Sequence, residues 1–91
     1  MHINVYTIYD HKAFTYSNPF YSVTDGAACR TLLEVCREGN NNLSKYPEDF
    51  RLFKTGVFDT DSGLILALSV PAFVTDVVTL MRGGPSPADN S

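Results

Sequence analysis

The sequence predicts an α+β fold. A small antiparallel sheet, made of an N-terminal strand plus a C-terminal hairpin, is covered by one main helix, with a second short C-terminal helix. Three observations carry this reading. His2 to Tyr9 (HINVYTIY) is dense in β-branched and aromatic residues, the composition of a strand. The stretch after Thr24-Asp25-Gly26 repeats its apolar residues at helical spacing. Phe50 to Phe58 and Leu64 to Leu68 are apolar segments separated by Asp59-Thr60-Asp61-Ser62-Gly63, a turn composition, and so read as a hairpin.

With 91 residues the chain is one domain near the small end of what folds without help. Five Tyr and six Phe are its main packing resource, since each ring buries a large area. The domain is expected over residues 1–82, and residues 83–91, which follow Arg82 with Gly-Gly-Pro and small polar residues, are expected to form a flexible tail.

Taken in order, the N-terminal strand carries apolar groups on both faces. Ile3, Val5, Thr7 and Tyr9 point one way, Tyr6 and Ile8 the other, which suits a central strand. Asp10-His11-Lys12 is a polar turn. Phe14 to Tyr21 is aromatic but broken by Asn18-Pro19; proline cannot donate to a ladder, so extended chain or a short edge strand is expected. Thr24 or Asp25 caps the helix, whose apolar face holds Ala28, Cys29, Leu32, Leu33, Val35 and Cys36, and Gly39 ends it. Asn40-Asn41-Asn42 reads as a loop. In the second strand Gly56 suggests a bulge or a close backbone approach. Leu64 to Leu68 (LILAL), a continuous apolar run, is expected to be buried. Pro71 fits the first turn of the last helix, and Phe73, Val74, Val77, Val78 and Met81 follow helical spacing, although their β-branching also suits a strand.

Several function classes find no support. There is no apolar run long enough to span a membrane and no secretory leader pattern at Met1-His2-Ile3-Asn4-Val5, so a cytoplasmic protein is expected. Cys29 and Cys36, seven apart on a helix, sit about 10 Å apart along its axis, too far for a disulfide, and read as reduced core residues. Asp59-x-Asp61-x-Gly63 resembles the start of a calcium loop, but the sixth and twelfth positions are Leu64 and Val70 where glycine and glutamate are needed. No phosphate-binding glycine loop is present, and two histidines with two separated cysteines make no zinc site. Asp10-His11-Lys12 lacks a nucleophile tied to it. No enzymatic activity and no cofactor are expected.

The net charge is −3, and the seven Lys and Arg residues form no basic run. Composition alone therefore does not suggest a DNA-binding protein, because affinity for nucleic acid normally comes from neutralising phosphates. The suggestive segment is Arg51-Leu52-Phe53-Lys54. On a strand, Arg51 and Phe53 share a face with Thr55 and Val57, while Phe50, Leu52 and Lys54 share the other. Basic and aromatic groups on one sheet face are what single-stranded nucleic acid binding uses. Tyr6 or Tyr9, with Lys12 or Lys45 from loops, would extend such a face.

Several segments also share an order and spacing with a known family: Val5-Tyr6-Thr7-Ile8-Tyr9-Asp10, Asn18-Pro19-Phe20-Tyr21, Asp25-Gly26-Ala27, Ser44 to Phe53, and Gly56-Val57-Phe58-Asp59 with Ser62-Gly63. This pattern resembles the small nonstructural, or DNA-binding, protein of gokushovirus-type microviruses, which are single-stranded-DNA phages. It runs from about residue 3 to residue 75, and its specific part is K-x-P-E-D-F-x-L-F-x-x-G-x-F-D, Lys45 to Asp59. The resemblance implies a late role in infection, in the host bacterial cytoplasm: association with viral single-stranded DNA, or with the replication apparatus or procapsid during packaging. It carries no catalytic or DNA-contacting residues over.

Two functional expectations follow. The first is a DNA-associated packaging factor acting through Arg51, Lys54, Lys45 and Lys12 with Phe53 or Tyr6. The second is a protein–protein module, such as a homo-oligomeric scaffold without direct DNA contact. Its support is the apolar 73–81 segment, since small chains often complete their cores by dimerising.

Overall fold

The computed structural model describes residues 1–83; residues 84–91, nearly all of the expected tail, lie outside the described residues. The strands are β1 (His2–Asp10), β2 (Thr15–Tyr16), β3 (Phe20–Ser22), β4 (Phe50–Asp59) and β5 (Ile65–Asp76). The helices are α1 (Asp25–Glu38), α2 (Asn42–Lys45) and α3 (Val77–Met81), with a 3-10 turn at Pro47–Asp49. One antiparallel sheet runs in the order β2-β1-β4-β5, with β3 paired to the same edge of β1 as β2.

β1 is the central strand that its two-sided apolar pattern requires. It pairs with β4 along its whole length, from His2 opposite Asp59 to Asp10 opposite Phe50, and Val5, Tyr6 and Thr7 are buried on alternating faces. On its other edge, the Asn18-Pro19 break separates β2 from β3. Ser17 spans the gap: its backbone N–H donates to the Ile8 carbonyl and its Oγ accepts from the Ile8 N–H. The serine thus supplies ladder bonds where proline cannot.

Helix α1 lies on the sheet face that carries Tyr6, Ile8, Phe50 and Leu52. Thr24 caps it, its Oγ accepting from the Ala27 N–H at 3.1 Å, and Gly39 ends it at φ +72°. Its Ala28, Cys29, Leu32 and Cys36 pack with Tyr6, Leu52, Val77 and Leu80 into the core. Both cysteines are buried there as thiols. Helix α2, which begins at the last residue of the expected Asn40-Asn41-Asn42 loop, is held by a reciprocal cap in which Asn41 Oδ1 accepts from the Ser44 N–H and Ser44 Oγ accepts from the Asn41 N–H.

The expected architecture of a small sheet under one main helix is corrected. Strands make up 43% and helices 31% of the structure, and the five-stranded sheet curls into an antiparallel half-barrel with three small helices. Most of the difference lies in β5. The expected short return strand and following helix are instead one strand to Asp76, leaving helix only at Val77–Met81. The physical reason is a break in register. Phe53 stands opposite Phe73 and Leu52 opposite Thr75, so Val74 is an extra residue. That bulge puts Phe73 and Val74 out of strict alternation and makes a strand end imitate helical spacing. Pro71, expected in a first helical turn, sits inside β5 where Leu68 to Pro71 stand opposite Thr55 alone.

The expectation that Leu64 to Leu68 is buried is also corrected: Leu64, Ile65, Leu66 and Leu68 are all exposed. Gly56 does stand at a close approach. A Cβ there would lie 2.7 Å from the Leu66 carbonyl oxygen, and the register slips beside it, with Val5 opposite Gly56 but Tyr6 opposite Lys54.

Candidate nucleic-acid interface

The slip at Thr55 decides which residues share the sheet face away from α1. Thr7 stands opposite Phe53 and Val5 opposite Gly56, so the Arg51/Phe53 face continues through Gly56 and Phe58 rather than through Val57. The expected grouping of Val57 with Phe53 is corrected by this one extra residue, while Thr55 stays on the Phe53 side and lines a cavity with Thr7 and Tyr16.

Four rings form a connected cluster on this outer face. Tyr9 and Tyr16, register partners across β1 and β2, lie 4.7 Å apart between centroids. Phe53 meets Tyr9 at 6.5 Å, Tyr16 at 6.0 Å and Phe73 at 5.8 Å, each edge to face. No helix covers them: Tyr16 and Phe73 are 48% and 57% exposed. Arg51 stands opposite Tyr9 in β4, and its Nε lies 3.1 Å from Asp76 Oδ1. A second ring pair, Tyr21 and Phe58 at 6.1 Å, lies further along the same face. Phe14 in the β1–β2 turn is exposed and held at φ +56°, a conformation rare for an aromatic residue.

The residues expected to form a binding face are separated by the fold. Arg51 and Phe53 are together on the outer face. Tyr6 is not available for stacking. It is fully buried under α1, where its hydroxyl donates to Asp25 Oδ1 at 2.5 Å and accepts from Asn4 Nδ2 at 3.0 Å. Burial, followed by the Asp25 hydrogen bond, pushes its ionisation well above the ordinary tyrosine range. Lys54 stands opposite Tyr6 in the register, on the α1 side of the sheet. Lys45 ends α2, and Lys12 lines a cleft with Asp10, Glu48 and Asp49, an acidic setting. Arg30 and Arg37 are exposed on α1. The basic side chains therefore do not converge.

Sequence reasoning missed Tyr16, Phe73 and Phe14. Tyr16 lay in an aromatic segment read as a short edge strand, but its pairing with Tyr9 is set by the β1–β2 register. Phe73 was hidden by the helical appearance of its segment.

The other motifs resolve as turns. Asp10 Oδ1 accepts from the Lys12 and Ala13 backbone N–H groups. Asp59 accepts from the Asp61 backbone N–H and the Ser62 hydroxyl, which hold its carboxyl below the usual carboxylate range. Gly63 at φ +75° closes that hairpin. Among the described residues, no cluster of His, Cys, Asp or Glu is assembled as a metal site, and no helix is long and apolar enough to cross a membrane.

Comparison with known proteins bears on the whole of this sheet and its helices. The family described as phage ORF5 protein matches residues 3–80. The chain belongs to the phage ORF5 protein family. It is 34% identical over 88 residues to Protein ORF5 of Chlamydia phage 1, an alignment covering 92% of this chain and 86% of that relative. The ORF5 match makes this a small phage protein of the gokushovirus-type microviruses. No solved structure matches the chain.

Proposed function

We propose that this phage ORF5 protein is a non-enzymatic binding protein that takes single-stranded DNA on its outer sheet face, in support of viral DNA replication or packaging. The observation that carries the reading is the uncovered Tyr9–Tyr16–Phe53–Phe73 cluster beside Arg51. Rings left open on a sheet offer stacking surfaces for successive bases, each worth about 1–3 kcal/mol, and every base has a face to stack. With a net charge of −3 the chain adds little phosphate neutralisation, so stacking supplies most of the affinity and salt weakens it only modestly.

The test is fluorescence anisotropy of a labelled single-stranded oligonucleotide at low and at physiological salt. Saturable binding is expected, weakened about tenfold or more by Tyr16→Ala with Phe73→Ala, two exposed positions whose truncation spares the core. Arg51→Ala is expected to lower the salt slope by about one. A double variant that binds as the wild type does, or a wild type that does not bind at low salt, would overturn the reading in favour of a protein–protein module without DNA contact.

A further inference from the structure

We infer that the cavity between the two ring patches of the outer face takes one base of a bound single strand out of the stack, with Thr55 contacting its polar edge; the inference rests on the reading of that face as a single-stranded DNA site. Sheet order sets the cavity's walls. Thr7 of β1 and Thr55 of β4 lie at its middle, Tyr16 and Pro19 come from the β2–β3 edge, and Pro71 comes from β5 on the other flank. Its volume is about 280 Å³. Along β1 it falls between rings. Thr7 lies between Tyr9, whose partner is Tyr16, and Val5, whose partner Tyr21 meets Phe58. Tyr16 belongs both to the cavity wall and to the four-ring cluster.

Thr55 stands apart from its neighbours in β4. β1 passes from Val5 opposite Gly56 to Tyr6 opposite Lys54, and β5 passes from Ala67 opposite Gly56 to Ala72 opposite Lys54. Thr55 is thus skipped by the register on both sides. A bulge re-aims a side chain, and bulges gather beside functional sites. Thr55 is half-buried, and its hydroxyl bonds to no protein group among the described residues. The Thr7 hydroxyl, by contrast, already donates to the Ser17 carbonyl at 2.8 Å. Thr55 therefore brings an uncommitted donor and acceptor to the cavity.

Three features select a base as the occupant. No charged side chain lines the cavity, so neither a phosphate nor a free ion would be compensated there. The volume falls just below the roughly 300 Å³ at which pockets for whole small-molecule ligands begin, which suits a planar part of a larger ligand. A tyrosine ring and two proline rings offer apolar surfaces to the faces of a base, and a hydroxyl meets its edge, which is how unstacked bases are held. Rings on either side would stack the adjoining nucleotides, and the continuity of the strand then carries a base over the cavity.

Fluorescence anisotropy with labelled strands of about six nucleotides, each made abasic at a different position, tests this. Loss of one interior base is expected to weaken wild-type binding about tenfold. Thr55→Val keeps the branched shape and removes the hydroxyl. It is expected to weaken the intact strand about threefold, the size of one hydrogen bond, and to change nothing for the strand abasic at that position. A structural role for Thr55 would weaken every strand alike. Methyl NMR of the wild-type protein gives an independent readout: the Thr7 and Thr55 methyl signals should shift with the intact strand and not with the abasic one. A uniform effect of Thr55→Val, no effect at all, or unmoved methyls while the Tyr16 and Phe73 rings respond would each overturn the base pocket and leave the outer-face reading standing. A wild type that binds no strand overturns both, and leaves the cavity to an apolar side chain of a partner protein.

Discussion

β1 and β5 share one pattern and meet opposite fates. Each is apolar on both faces, and each spans the length of β4 on one of its edges. β1 has β2 and β3 on its second edge, α1 over one face, and Val5, Tyr6 and Thr7 buried. β5 has nothing on its second edge among the described residues, and its first nine residues are exposed. A two-sided apolar strand states a need for neighbours. It does not state whether the same chain supplies them.

The largest effect that sharpens this contrast is expected at the core. Leu52→Ala removes a fully buried side chain beneath α1 and should cost about 2–5 kcal/mol, read from the denaturant midpoint. Leu66→Ala, at a position 47% exposed, should cost under about 1 kcal/mol. Equal losses at the two positions would break the comparison, because β5 would then be packed as β1 is.

A smaller effect is expected where the two strands bear on β4 from opposite sides. Gly56 stands opposite Val5 and Ala67, and any Cβ there collides with the Leu66 carbonyl. Gly56→Val should destabilise the chain by about 1–3 kcal/mol, because backbone rather than a flexible side chain must move. A melting temperature equal to that of the wild type would mean that β5 yields freely at this point.

The smallest effect is expected at the Tyr6 hydroxyl, where Tyr6→Phe should cost about 1 kcal/mol through the lost bond to Asp25. It should also change the pH dependence. The folded chain holds the Tyr6 proton more tightly than the unfolded chain, so this contribution is fully present below the ordinary tyrosine value of about 10 and is lost as pH rises above it towards the folded value. Chemical denaturation at several alkaline pH values should show a shallower decline for Tyr6→Phe than for the wild type. Parallel declines would mean that burial of β1 does not reach its phenol.

Much of the fold was legible because local chemistry forces it. Thr24 before an amphipathic run, Gly39 after it, Pro19 interrupting an aromatic segment and Asp59 to Gly63 between apolar runs each act within a few residues. The short α2 escaped notice because its cap uses Asn41 and Ser44 inside a polar stretch that also suits a loop. The candidate site was half legible. Arg51 and Phe53 were readable from alternation on one strand, but their true companions come from β1, β2 and β5. Tyr6 was misjudged because the two faces of β1 look equally apolar, and only the position of α1 decides which is covered.

The sequence by itself determined the strand and helix segments up to about residue 66 apart from α2, the central character of β1, the capped helix and the special place of Gly56. These depend on propensity, capping and periodicity, which act over a turn or two of chain. Only the tertiary structure decided that residues 65–76 form one strand, that Thr55 and Val74 shift the register, and that the outer face gathers Tyr9, Tyr16, Phe53 and Phe73. The reason is that register is set by pairing between strands distant in sequence, and one extra residue in either partner turns every later side chain to the opposite face.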